Sequence, residues 1–189
     1  RLGIIKKEMN VTEKKGKKNL YFIDDNFFNF YFTFAEPYKS DLEIGEIKNI
    51  KDKFEMDFSN YMGKRFEKLM REEILREIGI IEIDKIGRCW GKIPNAPKDK
   101  NQYEIDIAAL NEEKKEILFG ECKWQSKVNA LEVASELIRK ARYVDWNLEK
   151  RKESFIVFAK SFSKRIDEID EKKVYCFDFG DIEKELRKK

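Results

Sequence analysis

Residues 103 to 124, YEIDIAALNEEKKEILFGECKW, constrain the fold more than any other stretch of the chain. Two apolar runs flank the turn NEEKK, and that pattern reads as a β-hairpin. Each run also carries charge. Glu104 and Asp106 stand among Ile105, Ile107 and Leu110; Glu121 and Lys123 stand among Leu118, Phe119 and Trp124. Acids and lysines are rarely buried unless they are paired or bound to a metal. Either these residues lie on a solvated sheet face, or they form a site.

The rest of the chain supplies elements to pack around that hairpin. Phe58, Tyr61, Met62, Phe66, Leu69, Met70 and Leu75 recur at helical spacing and predict a long amphipathic helix from about Phe54 to Ile78, stopped by Gly79. IIEIDKIGRCWGKI, residues 80 to 93, alternates like a strand, and PNAPKDKNQ is a loop. A second helix is predicted from about Val128 to Lys150. SFIVFA reads as a buried parallel strand, SKRIDEIDE as a short helix, KVYCFDF as a last strand and DIEKELRKK as a closing helix. The order α-β-β-β-α-β-α-β-α predicts an α/β fold with a mixed central sheet flanked by helices.

The first 48 residues read differently. IIKKEMNVT and LYFI predict two strands around the charged turn EKKGKK, a hairpin like the wing of a winged helix. In DDNFFNFYFTFAEPY, Asp24 or Asp25 is placed to cap a helix whose Phe27, Phe28, Tyr31, Phe34 and Ala35 form an aromatic stripe, read as core or interface. YKSDLEIGEIKN reads as a linker or short helix. The expected division is therefore 1–48, a wing, aromatic segment and linker, and 49–189, the α/β domain. The chain opens on what reads as mid-domain sequence, so a piece of a longer protein is expected.

Composition narrows the chemistry. There is no His, which removes Ser-His and Cys-His nucleophiles and imidazole metal sites. Neither GxGxxG nor GxxxxGK[ST] occurs. Cys89, Cys122 and Cys176 form an odd, scattered set that excludes a disulfide framework and points to a reducing cytoplasm, with the thiols as small core residues. No apolar run reaches the length of a membrane span. Charged residues make up 41% against a usual quarter, rich in Lys and Glu, as in thermophilic proteins. The net charge is only +3, so any nucleic-acid surface must be local.

What remains is carboxylate and lysine chemistry. Residues two apart on a strand share a face, so Glu121 and Lys123 point one way. A tight hairpin brings Asp106 beside Glu121. Two convergent carboxylates are hard ligands suited to Mg²⁺ or Mn²⁺, and Lys123 is placed to hold a water or stabilise phosphorane charge.

Asp106 followed by Glu121-Cys122-Lys123 resembles the D…(D/E)xK signature of the PD-(D/E)XK nuclease superfamily, with Ile105 where the signature has proline. GKRFEKLMREEI is similar to the GxxFE helix of these folds and makes Glu67 the auxiliary acid. The wing-like segment, GKRFEKLMREEIL, EIDIAALNEEKKEILFGECKW and FIVFAK together resemble the C-terminal region of the archaeal DEXX-box (AAA-type) ATPases. The resemblance implies a restriction-endonuclease-like αβββαβ core and divalent-metal-dependent DNA hydrolysis. The catalytic residues would be Glu67, Asp106, Glu121 and Lys123, with Asp106 and Glu121 as the metal ligands. The ATPase domain would lie outside this chain, and a homodimer would suit cutting of two strands. The rival reading is a silent nuclease-fold module for DNA binding or assembly.

Each of these residues also has a plainer reading. Glu67 sits in a charged helix where it can simply pair at i,i+4. Glu104 reads as a supporting or surface group, and Gln125 and Lys127 either extend the site or do not. Arg139, Lys140 and Arg142, in the basic stretch LIRKARYVDWNLEKRK, either reach DNA phosphates or line a solvated helix face. Trp124 and Trp146 read as packing residues.

Overall fold

The computed structural model describes residues 3–13 and 19–188. A two-stranded antiparallel ribbon opens the chain, β1 (Ile5–Glu8) on β2 (Leu20–Ile23); the charged turn 14–18 lies outside the described residues. Asp25 caps α1 (Asn26–Phe30) by accepting from Phe28 N at 2.9 Å. The helix runs on through a π-turn, Tyr31–Ala35, and a 3-10 turn, Glu36–Tyr38, to the short α2 (Lys39–Glu43). Next comes α3 (Ile47–Leu69), extended by a π-turn, Met70–Ile74, and by α4 (Leu75–Ile78) to Gly79, whose φ of 67° ends it in the left-handed conformation a glycine takes without strain.

The central sheet follows. β3 (Lys85–Lys92), β4 (Gln102–Asn111) and β5 (Glu116–Lys123) form an antiparallel meander. A short β6 (Val128–Asn129) leads into α5 (Ala130–Ala141). β7 (Lys152–Ala159) returns parallel to β5; β8 (Phe162–Lys164) pairs with β6, β9 (Glu168–Ile169) with β10 (Lys172–Phe177), and α6 (Phe179–Leu186) closes the chain. The sheet order is β3-β4-β5-β7-β10-β9, with β5, β7 and β10 parallel.

Two apolar layers fix the sheet. On one face Leu137, Ile138 and Ala141 of α5 pack on Ile105, Phe119, Phe155 and Val157. On the other, Phe66, Met70 and Leu75 pack on Ile107, Leu118, Ile156 and Phe158. Strands buried on both faces need continuous apolar runs, and β5 and β7 have them. The expected mixed α/β architecture is the one observed.

The N-terminal ribbon is tied to this body. Val11 N donates to Arg88 O on the edge strand β3 at 3.1 Å, and the buried Asn10 donates to Trp90 O at 2.7 Å. Phe34 is buried against Phe54, Phe58 and Tyr61 of α3, whereas Phe27 of the same stripe, and Phe32 outside it, remain exposed.

Three expected elements differ. The strand predicted over 80–93 begins only at Lys85, because the residues after Gly79 are spent turning the chain onto the sheet edge. The segment SKRIDEIDE is extended rather than helical: Asp167 O accepts from Val174 N and Ile166 and Ile169 pack on the core, so pairing with β10 outweighs local helix propensity. The helix expected to reach Lys150 stops at Ala141. Its end is held by Arg151, whose side chain is fully buried and donates to the carbonyls of Ala141, Val144 and Trp146 while pairing with Glu153. Without it the Val144 and Trp146 carbonyls would lose this donor, and the Ala141 carbonyl would keep only Val144 N at 3.1 Å.

Truncation of Arg151 therefore removes a cap and leaves Glu153 half-paired. Arg151→Ala should cost about 3 kcal/mol, measured by urea denaturation. A loss below about 1 kcal/mol would mean that the helix end does not depend on it.

Candidate active site

The site begins with a mismatch between strands. Gly87 lies across from Ala108, and Cys89 lies across from Ile105. Arg88 alone on β3 thus faces both Asp106 and Ile107 on β4, a β-bulge. Its effect shows in the cores: Ile105 packs on the α5 side and Ile107 on the α3 side, although residues two apart on a regular strand share a face. Asp106 sits at the break in alternation.

The same point ends the pairing of β4 with β5. The last paired residues are Ile107 and Gly120, while β5 continues along β7 to Lys123. Gly120 is required here: a Cβ would come within 2.9 Å of Ile107 Cβ. Past that pair, Asp106 Oδ2 accepts from Cys122 N at 2.9 Å. The carboxylate thus takes the hydrogen bond that a β4 carbonyl would have taken. Asp106 was expected to share a face with Glu121. It instead meets Glu121 at the strand end, at the border between the two faces.

Each neighbour comes from a different element. Glu121, buried on the α5 side, accepts from Lys123 Nζ at 2.8 Å and from Lys140 Nζ of α5 at 3.1 Å. Glu67 comes from α3. One helical turn later the buried Arg71 donates to Asp106 O at 3.0 Å. Burial first, then the charges of Glu121 and Glu67, push the Asp106 carboxyl up to about 7. Glu67 is raised as well, by burial, with Glu104 and Glu121 repelling it and Arg71 and Arg88 partly offsetting them. For Lys123, burial works to lower the pKa, but the charge and hydrogen bond of Glu121 outweigh it and the net shift is upward. Among the described residues, no group of three or more His, Cys, Asp or Glu is arranged to hold a metal ion.

Of the residues marked in the sequence, Glu67, Asp106, Glu121 and Lys123 come together at one end of the sheet. Lys140 joins them, turned inward to Glu121 rather than outward. Arg139 pairs with Glu136 on the same helix, and Arg142 is exposed just past the end of α5. Glu104 is exposed and accepts from Arg88 at 2.7 Å. Gln125 and Lys127 are engaged with the β7–β8 turn through Lys160 N and Ser161 Oγ. Trp124 packs between Phe66 and Phe179, with Lys160 over its ring. Sequence reasoning missed Arg71 and Arg88. Arg71 had a signal, lying one helical turn after Glu67; Arg88 had none, since only the bulge gives it its position.

Residues 31–136 match the model of the DUF234 family, described as archaeal and bacterial proteins of unknown function, and the chain belongs to that family. It is also 33% identical over 149 residues to an uncharacterized protein of Methanocaldococcus jannaschii, an alignment covering 74% of this chain and 31% of the relative. The chain therefore spans about a third of that relative's length. No solved structure matches it. Among the described residues, no helix is long and apolar enough to cross a membrane.

The raised Asp106 carboxyl has a measurable consequence. Between the ordinary aspartate range and about 7, the folded chain holds a proton that the unfolded chain has released. Stability contributed by this group therefore falls as pH rises through that window. Asp106→Asn should flatten the pH dependence of the denaturation midpoint and leave the protein at least as stable at pH 8. A variant with an unchanged pH profile would show that Asp106 is ionised throughout.

Proposed function

We propose that the domain hydrolyses phosphodiester bonds of DNA with a divalent metal, and that it works attached to an ATPase domain. The observation that carries this reading is the meeting of Glu67, Asp106 and Glu121 with Lys123 at one end of the sheet. It is supported by the resemblance of these same four residues to the PD-(D/E)XK pattern. The relative's greater length leaves room for a second domain.

Carboxylate oxygens are hard donors that suit Mg²⁺ or Mn²⁺, and the mutual repulsion of these acids is what a cation relieves. Asp106 and Glu121 would hold the ion, with water completing its shell, as is common for Mg²⁺. When bound, it would polarise a phosphoryl oxygen and make water a better nucleophile. The chain's own groups do the rest. Cys122 N fixes one oxygen of Asp106, and Arg71 fixes the backbone of the same residue. Lys140 shares Glu121 with Lys123, which leaves the Lys123 ammonium available to steady the water or the developing phosphorane charge. Glu67 stands by as an auxiliary acid with a raised pKa, able to accept or return a proton.

One observation favours a second reading, a silent module for DNA binding or assembly. The charge of Glu121 is already met by two lysines, so the acids can be kept for structure alone.

The two readings part on a nicking assay with supercoiled, linear and branched DNA, run with EDTA controls. Asp106→Asn and Glu121→Gln should abolish Mg²⁺- or Mn²⁺-dependent cleavage while folding survives. Lys123→Ala should lower the rate on the order of 10²-fold. Cleavage that Asp106→Asn leaves intact would reject this site. A wild type inert on every substrate, with no calorimetric metal signal, would favour the silent module.

A further inference from the structure

Glu67 and Asp106, though not Glu121 or Lys123, line a cleft of about 530 Å³ with a floor and two walls. The floor is the sheet, with Asp106, Glu104 and Arg88. One wall is α3, with Lys64, Glu67 and Lys68. The other is the N-terminal ribbon and α1, with Glu8, Phe22 and Asn29.

The ribbon is fastened across this cleft by charge. Lys6 pairs with Glu72 at 2.9 Å and Asp24 pairs with Lys68 at 2.6 Å, joining the ribbon to α3. Glu8 pairs with Arg88, joining it to the sheet. The ribbon also cannot drift along the sheet, because Val11 is hydrogen-bonded to β3 just after β1. The approach to Asp106 is thus bridged on both flanks.

Such a cleft is too small for a duplex. Its volume is that of a pocket enclosing one small ligand, roughly 300–1,000 Å³, which leaves no room for two paired strands. A single unstacked nucleotide is a ligand of that size class. The lining sets an aromatic ring beside the cation of Lys64, as single-strand sites do, while Lys68 and Arg88 are paired with Asp24, Glu8 and Glu104. Phe22 is half-buried and lines the cleft, Lys64 is exposed on its rim, and Arg88 lies at its floor.

We propose that this cleft takes a single strand of nucleic acid, with Phe22 stacking a base and Lys64 meeting the backbone, and that the N-terminal ribbon excludes duplex. The ligand class rests on the phosphodiesterase reading; the selection of one strand rests on the ribbon. The ribbon therefore acts as a specificity element, and Phe22 as a substrate-contacting residue outside the four-residue pattern.

The test is fluorescence anisotropy with the full chain in EDTA, using a labelled oligothymidylate and a duplex of equal length. The single strand should bind at least about tenfold tighter, the scale of one stacked base. Phe22→Ala should remove that advantage, and Phe22→Trp should retain it, which separates lost stacking from lost folding. Releasing the ribbon with Lys6→Ala and Asp24→Ala together should raise duplex binding relative to single-strand binding. Equal affinities in the wild type, or indifference to Phe22→Ala, would overturn the proposal. Because the measurement is metal-free, its outcome is independent of hydrolysis. A chain that selects the single strand yet never cuts would support this inference and end the hydrolytic reading. One that cuts duplex as fast as single strand would do the reverse.

Discussion

Arg88 faces two residues of β4 where regular pairing allows one, and the arrangement of the site follows from that extra residue. The bulge sends Ile105 and Ile107 into opposite cores. It leaves Asp106 aimed at neither core, so its carboxylate can take the Cys122 N–H. Without the bulge, alternation along β4 would commit Asp106 to a single face, and either Glu67 or Glu121 would be out of its reach. Bulges are known to re-aim side chains in this way beside active sites. Here the device is reinforced by Arg71, which holds the Asp106 carbonyl, and by Gly120, which lets β4 and β5 stay close up to their last pair.

Electrostatics at the sheet end are held out of balance on the α3 side and in balance on the α5 side. Glu121 is met by Lys123 and Lys140. Among the described residues no cation is bonded to the carboxylates of Asp106 and Glu67, and both are raised in pKa despite the nearby charges of Lys123, Arg71 and Arg88. An imbalance of this kind lowers stability, because burying a carboxylate close to its like is unfavourable. Its persistence beside an open cleft is what a site for a cation or a protonated group would require, and perturbed carboxylates of this kind cluster at functional sites.

The N-terminal ribbon and the aromatic segment after it are attached to the body in two different ways. Its attachment is mostly polar, through Lys6, Glu8, Asn10 and Asp24, while the aromatic segment after it is anchored by Phe34 on α3. An apolar anchor behind a charged clasp leaves the segment fixed to the body while the part over the cleft depends on ion pairs. Of the clasp pairs, Lys6–Glu72 is exposed and so weak and screened by salt, whereas Asp24–Lys68 and Glu8–Arg88 are part-buried.

The sequence by itself determined the hairpin at 103–123, the parallel strand at SFIVFA, the last strand and the closing helix, because each depends on local periodicity that tertiary packing then used unchanged. It also marked Asp106, Glu121 and Lys123, since charged residues inside apolar runs stand out in a one-dimensional pattern, whereas Glu67 was marked only by the resemblance of its helix to the GxxFE pattern. Periodicity could not reveal where regularity fails. The bulge opposite Arg88 is a property of two strands in register, and neither carries a signal of it alone. The helix end at Ala141 depends on Arg151, ten residues away in sequence, and the extended course of SKRIDEIDE depends on β10. Lys140 read from sequence as one cation in a basic face; only the fold turned it to Glu121. Local patterns set which elements form, because hydrogen bonding and side-chain alternation act over a few residues. The site was decided by the tertiary structure, because its charges come from α3, β4, β5 and α5 and interact only once those elements are packed.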